Sequence, residues 1–146
     1  MRTSLKQLSS FLFCFGLLSS VGQLASGGSV ADSLRLVLKG PINDTARMNT
    51  LNNLAKEVFY SNPDTALALS TSANKLAEDI KWLAGIGKSC VQIGSFYDDL
   101  GDFPASLKWY NKALVAWYDM EMEGSNKAMV KKRRAGTLGN IGILYE

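Results

Sequence analysis

Along the chain, hydrophobic positions recur with the period of a helix and nowhere hold two-residue alternation, so the pattern predicts helices and no sheet. Asp32 to Lys39 reads as a short lead-in helix stopped by Gly40-Pro41. After Asp44, the expected N-cap, Leu51, Leu54, Ala55, Val58 and Phe59 fall at helical spacing, making one face apolar as far as Ser61. Asn62-Pro63-Asp64 then offers a cap, a first-turn proline and a first-turn acid to a second helix. The inner face of that helix is Ala66, Leu69, Ala73, Leu76, Ala77 and Ile80. A third helix, around Trp82 to Leu100, carries Ile86, Cys90, Ile93, Gly94, Tyr97 and Leu100 on one side, and Gly101 closes it in the left-handed conformation. Asp102 caps a fourth, where Pro104 is harmless because the first turn has no hydrogen bond to lose. Its predicted apolar face is Phe103, Leu107, Tyr110, Ala113, Leu114 and Trp117. Gly124-Ser125-Asn126 breaks the chain before a last helix that runs to the end.

Hairpins of similar length suggest an internal repeat. Gly94-Ser95-Phe96-Tyr97, followed by Leu100-Gly101-Asp102-Phe103 and then Ser106, Tyr110 and Ala113-Leu114, resembles the tetratricopeptide repeat. Cys90, Ile93 and Ser106 stand where that repeat has a large residue, a leucine and an alanine. The stretch Leu51 to Leu76 repeats the pattern more loosely, and Leu138 to Tyr145 restarts it with Ile141-Gly142 and Tyr145 in register. From Gly94 to Gly142 is 48 residues, against about 34 in that family, so the second helix or its following turn is expected to be extended. The resemblance covers about two-thirds of the chain. It implies an all-α fold, an antiparallel helix-hairpin (TPR-like) α-solenoid with about two full repeats, 44–80 and 82–123, plus the first helix of a third, 127–146. It also implies small residues at the helix crossings: Ala55, Gly94 and Gly142 on first helices, Ala66, Ala73, Ser106 and Ala113 on second ones. A third repeat without its second helix leaves Leu138, Ile141 and Tyr145 uncovered, so the 146 residues are expected to be part of a longer repeat protein, with the last helix frayed or self-associating.

The N-terminus reads as an export signal. Arg2 and Lys6 precede an apolar run from Leu8 to Leu18, and small residues Ser19, Ser20 and Gly22 follow, as in a secretory signal peptide. The run falls short of the ~20 residues that span a bilayer. Cleavage is expected after Gly22, with sites as late as Gly27 open, which divides the chain into a signal peptide at 1–22, a linker and lead-in helix at 23–43 and the repeat domain at 44–146. Phe13 before Cys14 argues against lipoprotein processing, which needs a small residue there. The segment Asp44 to Ala55 behind such a signal is similar to exported sensor regions of certain bacterial signalling proteins, which implies a periplasmic or cell-surface location.

Composition narrows the chemistry. The chain has no histidine, so imidazole nucleophile relays, imidazole zinc sites and the usual general base near neutral pH are excluded. Of its two cysteines, Cys14 lies in the signal, so no disulfide within the mature chain is expected, and Cys90 is expected to be a small buried group. Sixteen basic and thirteen acidic residues give +3, which falls to +1 without Arg2 and Lys6 and makes no general case for nucleic acid. Asp98, Asp99 and Asp102 lack calcium-loop spacing and read as solvated helix-end acids, and the glycines at 85, 87, 94 and 101 follow no strand and make no phosphate loop. No cofactor, metal or catalytic residue is expected. The tryptophans at 82, 109 and 117 read as core and groove fillers. The run Lys127, Lys131, Lys132, Arg133 and Arg134 reads as an exposed helix face balanced by Asp119, Glu121 and Glu123; the alternative is a peripheral contact with an anionic membrane.

What remains is a surface. The repeat resemblance implies a concave groove lined by first helices that holds a partner protein or peptide. By register, Asn49, Asn52, Lys56 and Phe59 of the first repeat and Lys88, Val91, Ser95 and Asp98 of the second would face it. Val91 and Ser95 stand where the family's carboxylate-binding residues would be, so a C-terminal carboxylate is not the expected ligand. The expected function is therefore an exported, non-enzymatic interaction module, as the sensory or scaffold part of a larger signalling protein.

Overall fold

A computed structural model describes residues 29–145; the expected signal peptide and most of the linker lie outside the described residues. These form six helices: α1 (Val30–Lys39), α2 (Asp44–Val58), α3 (Pro63–Asp79), α4 (Leu83–Asp99), α5 (Phe103–Met122) and α6 (Lys127–Ile143). The boundaries follow local chemistry. Asn62 Oδ1 accepts from the Thr65 N–H at 2.9 Å with Pro63 in the first turn, and the Asp102 carboxylate accepts from the Ala105 N–H at 3.0 Å. At α2 the cap is Asn43, which accepts from the Ala46 N–H, and not Asp44, which lies inside the first turn. Asn126 caps α6 through the Met129 N–H.

One closure recurs at the other ends. After α3, α4 and α5 the chain leaves through a residue with positive φ, Lys81, Gly101 and Gly124, and the next N–H reaches back to the carbonyls of Ala77, Tyr97 and Met120. Lys81, at φ 54°, adopts without glycine the turn that Gly101 and Gly124 adopt freely.

Each helix packs mainly on its neighbours in sequence, and α2 also touches α4. The apolar interior is accordingly divided among the helix seams. Leu54, Ala55, Val58, Phe59, Ala66 and Phe96 form one cluster, against which Leu34 and Leu38 of α1 lean. Met48, Ala73 and Ala77 form a second, and Trp117, Met120 and Val130 a third between α5 and α6. Small residues permit the closest approaches. A Cβ on Gly94 would lie 2.7 Å from the Tyr110 ring, and one on Gly87 would lie 2.4 Å from the Trp117 indole. Ala55, Ala66, Ala73, Ser106 and Ala113 are fully buried, as the register implied.

Gly142 is not at such a crossing, for nothing lies within 4 Å of where its Cβ would be. The lengthening of the second hairpin is in α5 itself, 20 residues against 17 in α3. Phe103 and Leu100, expected on apolar faces, are about half exposed, because they stand at a helix start and a helix cap rather than along a packed turn. No helix of the described residues is long and apolar enough to cross a membrane.

Candidate functional site

Alternate helices share one concave surface. A groove of about 1030 Å³ is lined by α2, α4 and α6, with Trp117 of α5 below. From α4 it takes Lys88, Val91, Gln92, Ser95, Phe96 and Asp99. From α6 it takes Met129, Lys132, Arg133, Gly136, Thr137 and Asn140, the same spacing carried forward from Lys88 to Met129 by 41 residues. On α2 the series starts at Asn49, 39 residues before Lys88, and continues through Asn52, Asn53 and Lys56, with Phe59 and Tyr60 beyond the helix end. The repeat interval read from this surface is thus 39 then 41 residues, not the 48 that placed Gly142 opposite Gly94.

Seven of the eight expected groove residues line it: Asn49, Asn52, Lys56, Phe59, Lys88, Val91 and Ser95. Asp98 does not; its neighbour Asp99 does. At 3.6 residues per turn, three turns beyond Lys88 fall nearer position 99 than 98, so the correction is one of helical phase. The α6 contribution was missing from the expected set because the basic residues there read as a charge run, whereas their +3 and +4 spacing from Met129 was the available signal. That run is divided around α6: Lys132 and Arg133 face the groove, while Arg134 pairs with Glu121 of α5.

The floor is held by specific bonds. Asn52, only 7% exposed, donates from Nδ2 to Ser89 Oγ at 3.0 Å, and its backbone carbonyl accepts from Gln92 Nε2 at 2.8 Å. Gln92 Nε2 also donates to Ser70 Oγ, so α2, α3 and α4 are tied together. The Ser89 hydroxyl donates to the Gly85 carbonyl, which leaves it only as an acceptor toward Asn52 and fixes the amide's orientation. Asn52 Oδ1 then remains buried without a donor. Asn52 is a strut between helices before it is a contact for a partner. Phe59 and Phe96 stack with ring centroids 4.2 Å apart, and Trp117 Nε1 donates to Thr137 Oγ1 at 3.1 Å, anchoring α6 to α5.

Behind the groove a second network joins α4, α3 and α5. The Cys90 thiol donates to Asn74 Oδ1 at 3.1 Å, and Asn74 Nδ2 donates to Glu78 Oε1, which also accepts from Lys112. Burial pushes the Cys90 thiol up to about 12. The Lys112 ammonium beside Glu78 lowers that carboxyl. Among the described residues no cluster of His, Cys, Asp and Glu could hold a metal ion. Compared with known protein families, curated proteins and solved structures, the chain matches none of them.

Proposed function

We propose that this chain is an exported, non-enzymatic protein-interaction module of the tetratricopeptide-repeat type, an α-solenoid that holds a partner protein or peptide along the groove and serves as the sensory or scaffold part of a bacterial signalling assembly. One observation carries the reading: the lining positions recur with the same spacing on alternate helices, so a single continuous surface is built from repeated units. Its volume stands at the top of the ~300–1,000 Å³ range of small-molecule pockets, which suits a length of polypeptide. The sealed thiol of Cys90, raised to about 12, is no nucleophile near neutral pH. The sequence of residues 1–22 supports export.

The test makes no assumption about the charge of the partner. Peptides selected from a random library on the purified chain are titrated into isotopically labelled protein. Amide resonances of Val91, Ser95 and Gly136 are expected to move, while those on the outer faces of α3 and α5 stay. Selected peptides that shift only outer-face residues, or a library that yields no binder, would remove the groove from this role.

A further inference from the structure

The groove is charged on one side of neutrality. Lys56 from α2 and Lys132 and Arg133 from α6 are exposed, line it and form no ion pair among the described residues. Lys88 lines it too, although its ammonium lies 5.3 Å over the Trp82 ring. Against these four cations the lining holds one acid, Asp99. The pattern is local, since the sequence as a whole is only +3. Like charges collected in a concavity concentrate their potential there and attract the opposite sign. Elsewhere in the fold Lys75, Lys112 and Arg134 have found acids, so the three groove cations are the ones left for a partner.

The remaining lining is of two kinds. Val91 and the stacked Phe59 and Phe96 are apolar. Asn49, Asn53, Ser95 and Asn140 offer amide and hydroxyl groups able both to donate and to accept, as a peptide backbone requires. Nucleic acid fits less well. Phe59 and Phe96 hide their faces in one another, at 4% and 6% exposure, and Trp117 is 1% exposed, which leaves Tyr60 as a single open ring where stacking on single strands uses a succession.

We propose that the groove takes an acidic, extended stretch of polypeptide, its carboxylates set against Lys56, Lys132 and Arg133 and an apolar side chain over Val91 and the Phe59–Phe96 pair. This rests on the groove reading above and adds the chemistry of the partner to it. Because the cations come from both α2 and α6, a bound segment crosses the middle helix α4 and touches the three alternate helices at once.

The probe is a fluorescein-labelled peptide in which Asp and Glu alternate with Leu and Pro, the prolines keeping it extended. It is compared with one peptide carrying Gln for every acid, one carrying Lys for every acid, a single-stranded oligodeoxynucleotide and phosphatidylserine vesicles, all against the purified chain. The acidic peptide is expected to bind tightest, to weaken as salt shortens the screening length from about 10 Å at 0.1 M to about 3 Å at 1 M, and to move the groove resonances. The double variant Lys56→Glu, Lys132→Glu is expected to weaken it about tenfold or more, while Lys108→Glu, Lys127→Glu, the same charge change outside the groove, weakens it less than about twofold. If the Gln or Lys peptide binds the groove as tightly as the acidic one, the acidity is wrong and the groove reading stands. Tighter binding of the oligonucleotide or vesicles through the same residues assigns the wrong class of partner to the groove. If no peptide of any charge moves the groove resonances, the groove reading itself falls.

Discussion

Cys90 shows how much a single side chain can be altered by where the fold puts it. The sequence reading made it a small buried group, and it is fully buried, yet its thiol also donates to Asn74 and so to the Glu78–Lys112 pair. Its folded pKa, about 12, lies above its ordinary value of 9.0 because burial opposes the thiolate. Below pH 9 the thiol is protonated in both states and its contribution to stability is whole. As pH rises from 9 toward 12 the unfolded chain ionises first, so that contribution is lost at up to roughly 1.4 kcal/mol per pH unit. Urea melts between pH 8 and pH 10.5 should therefore decline more steeply in the parent than in Cys90→Ala, and parallel declines would show that the thiol is not sealed. In a Cys14→Ser background, iodoacetamide at pH 8 should alkylate the native protein far more slowly than the urea-unfolded one. Asn52 carries the opposite lesson. Its helical phase placed it on the groove, but nothing local reveals that Ser89, 37 residues away, accepts from its amide. Tertiary hydrogen bonds of that kind are not written in periodicity.

At the scale of the helix, glycine separates packing from propensity. An alanine at Gly94 must put its Cβ 2.7 Å from the ring of Tyr110, itself 1% exposed and without room to retreat. Overpacking of this kind costs about 1–3 kcal/mol, more than the ~1 kcal/mol that alanine gains over glycine inside a helix. Gly139 has nothing within 4 Å of its Cβ position, so there the propensity term acts alone. Gly94→Ala should lower the denaturation midpoint and Gly139→Ala should raise it; two changes of the same sign would mean that helix contacts do not govern α4. Helix ends were legible in the sequence because their signals are adjacent residues: Asn62 with Pro63, Asp102 with Pro104, Gly101 at positive φ. The end of α3 was not, since Lys81 takes the left-handed turn without a glycine to announce it. Groove phase was legible over two turns of α4 and slipped on the third, because steps of three and four accumulate error against 3.6; hence Asp98 for Asp99. The pairing of Gly142 with Gly94 failed for a related reason, a short motif match that ignored where α6 first meets α5 at Val130 and Thr137.

Across the whole molecule, a core divided among seams makes stability a sum over neighbours rather than a property of one centre. The helices should then open with different free energies. α4 lies between α3 and α5, touches α2, and buries Cys90, Gln92, Ile93 and Phe96 among others. α6 packs chiefly on α5, buries only Val130 and Thr137, and leaves Leu138, Ile143 and Tyr145 more than half exposed; α1 buries no residue fully. Amide hydrogen exchange should therefore be slowest in α4 and fastest in α1 and α6. The Trp117–Thr137 hydrogen bond gives a way to move one end without the middle. Thr137→Val keeps the shape and deletes the acceptor, and leaves the buried indole N–H unmet at a cost of about 1–3 kcal/mol. Protection should fall across α6 and stay unchanged in α4. Since α6 supplies Lys132 and Arg133 to the groove, the same variant should also weaken a groove-bound peptide, and a saturating peptide should restore protection to α6 in the parent chain. Equal protection in α4 and α6, or a Thr137→Val effect spread evenly over both, would make the described residues one cooperative unit and remove the basis for treating the α6 wall of the groove as adjustable.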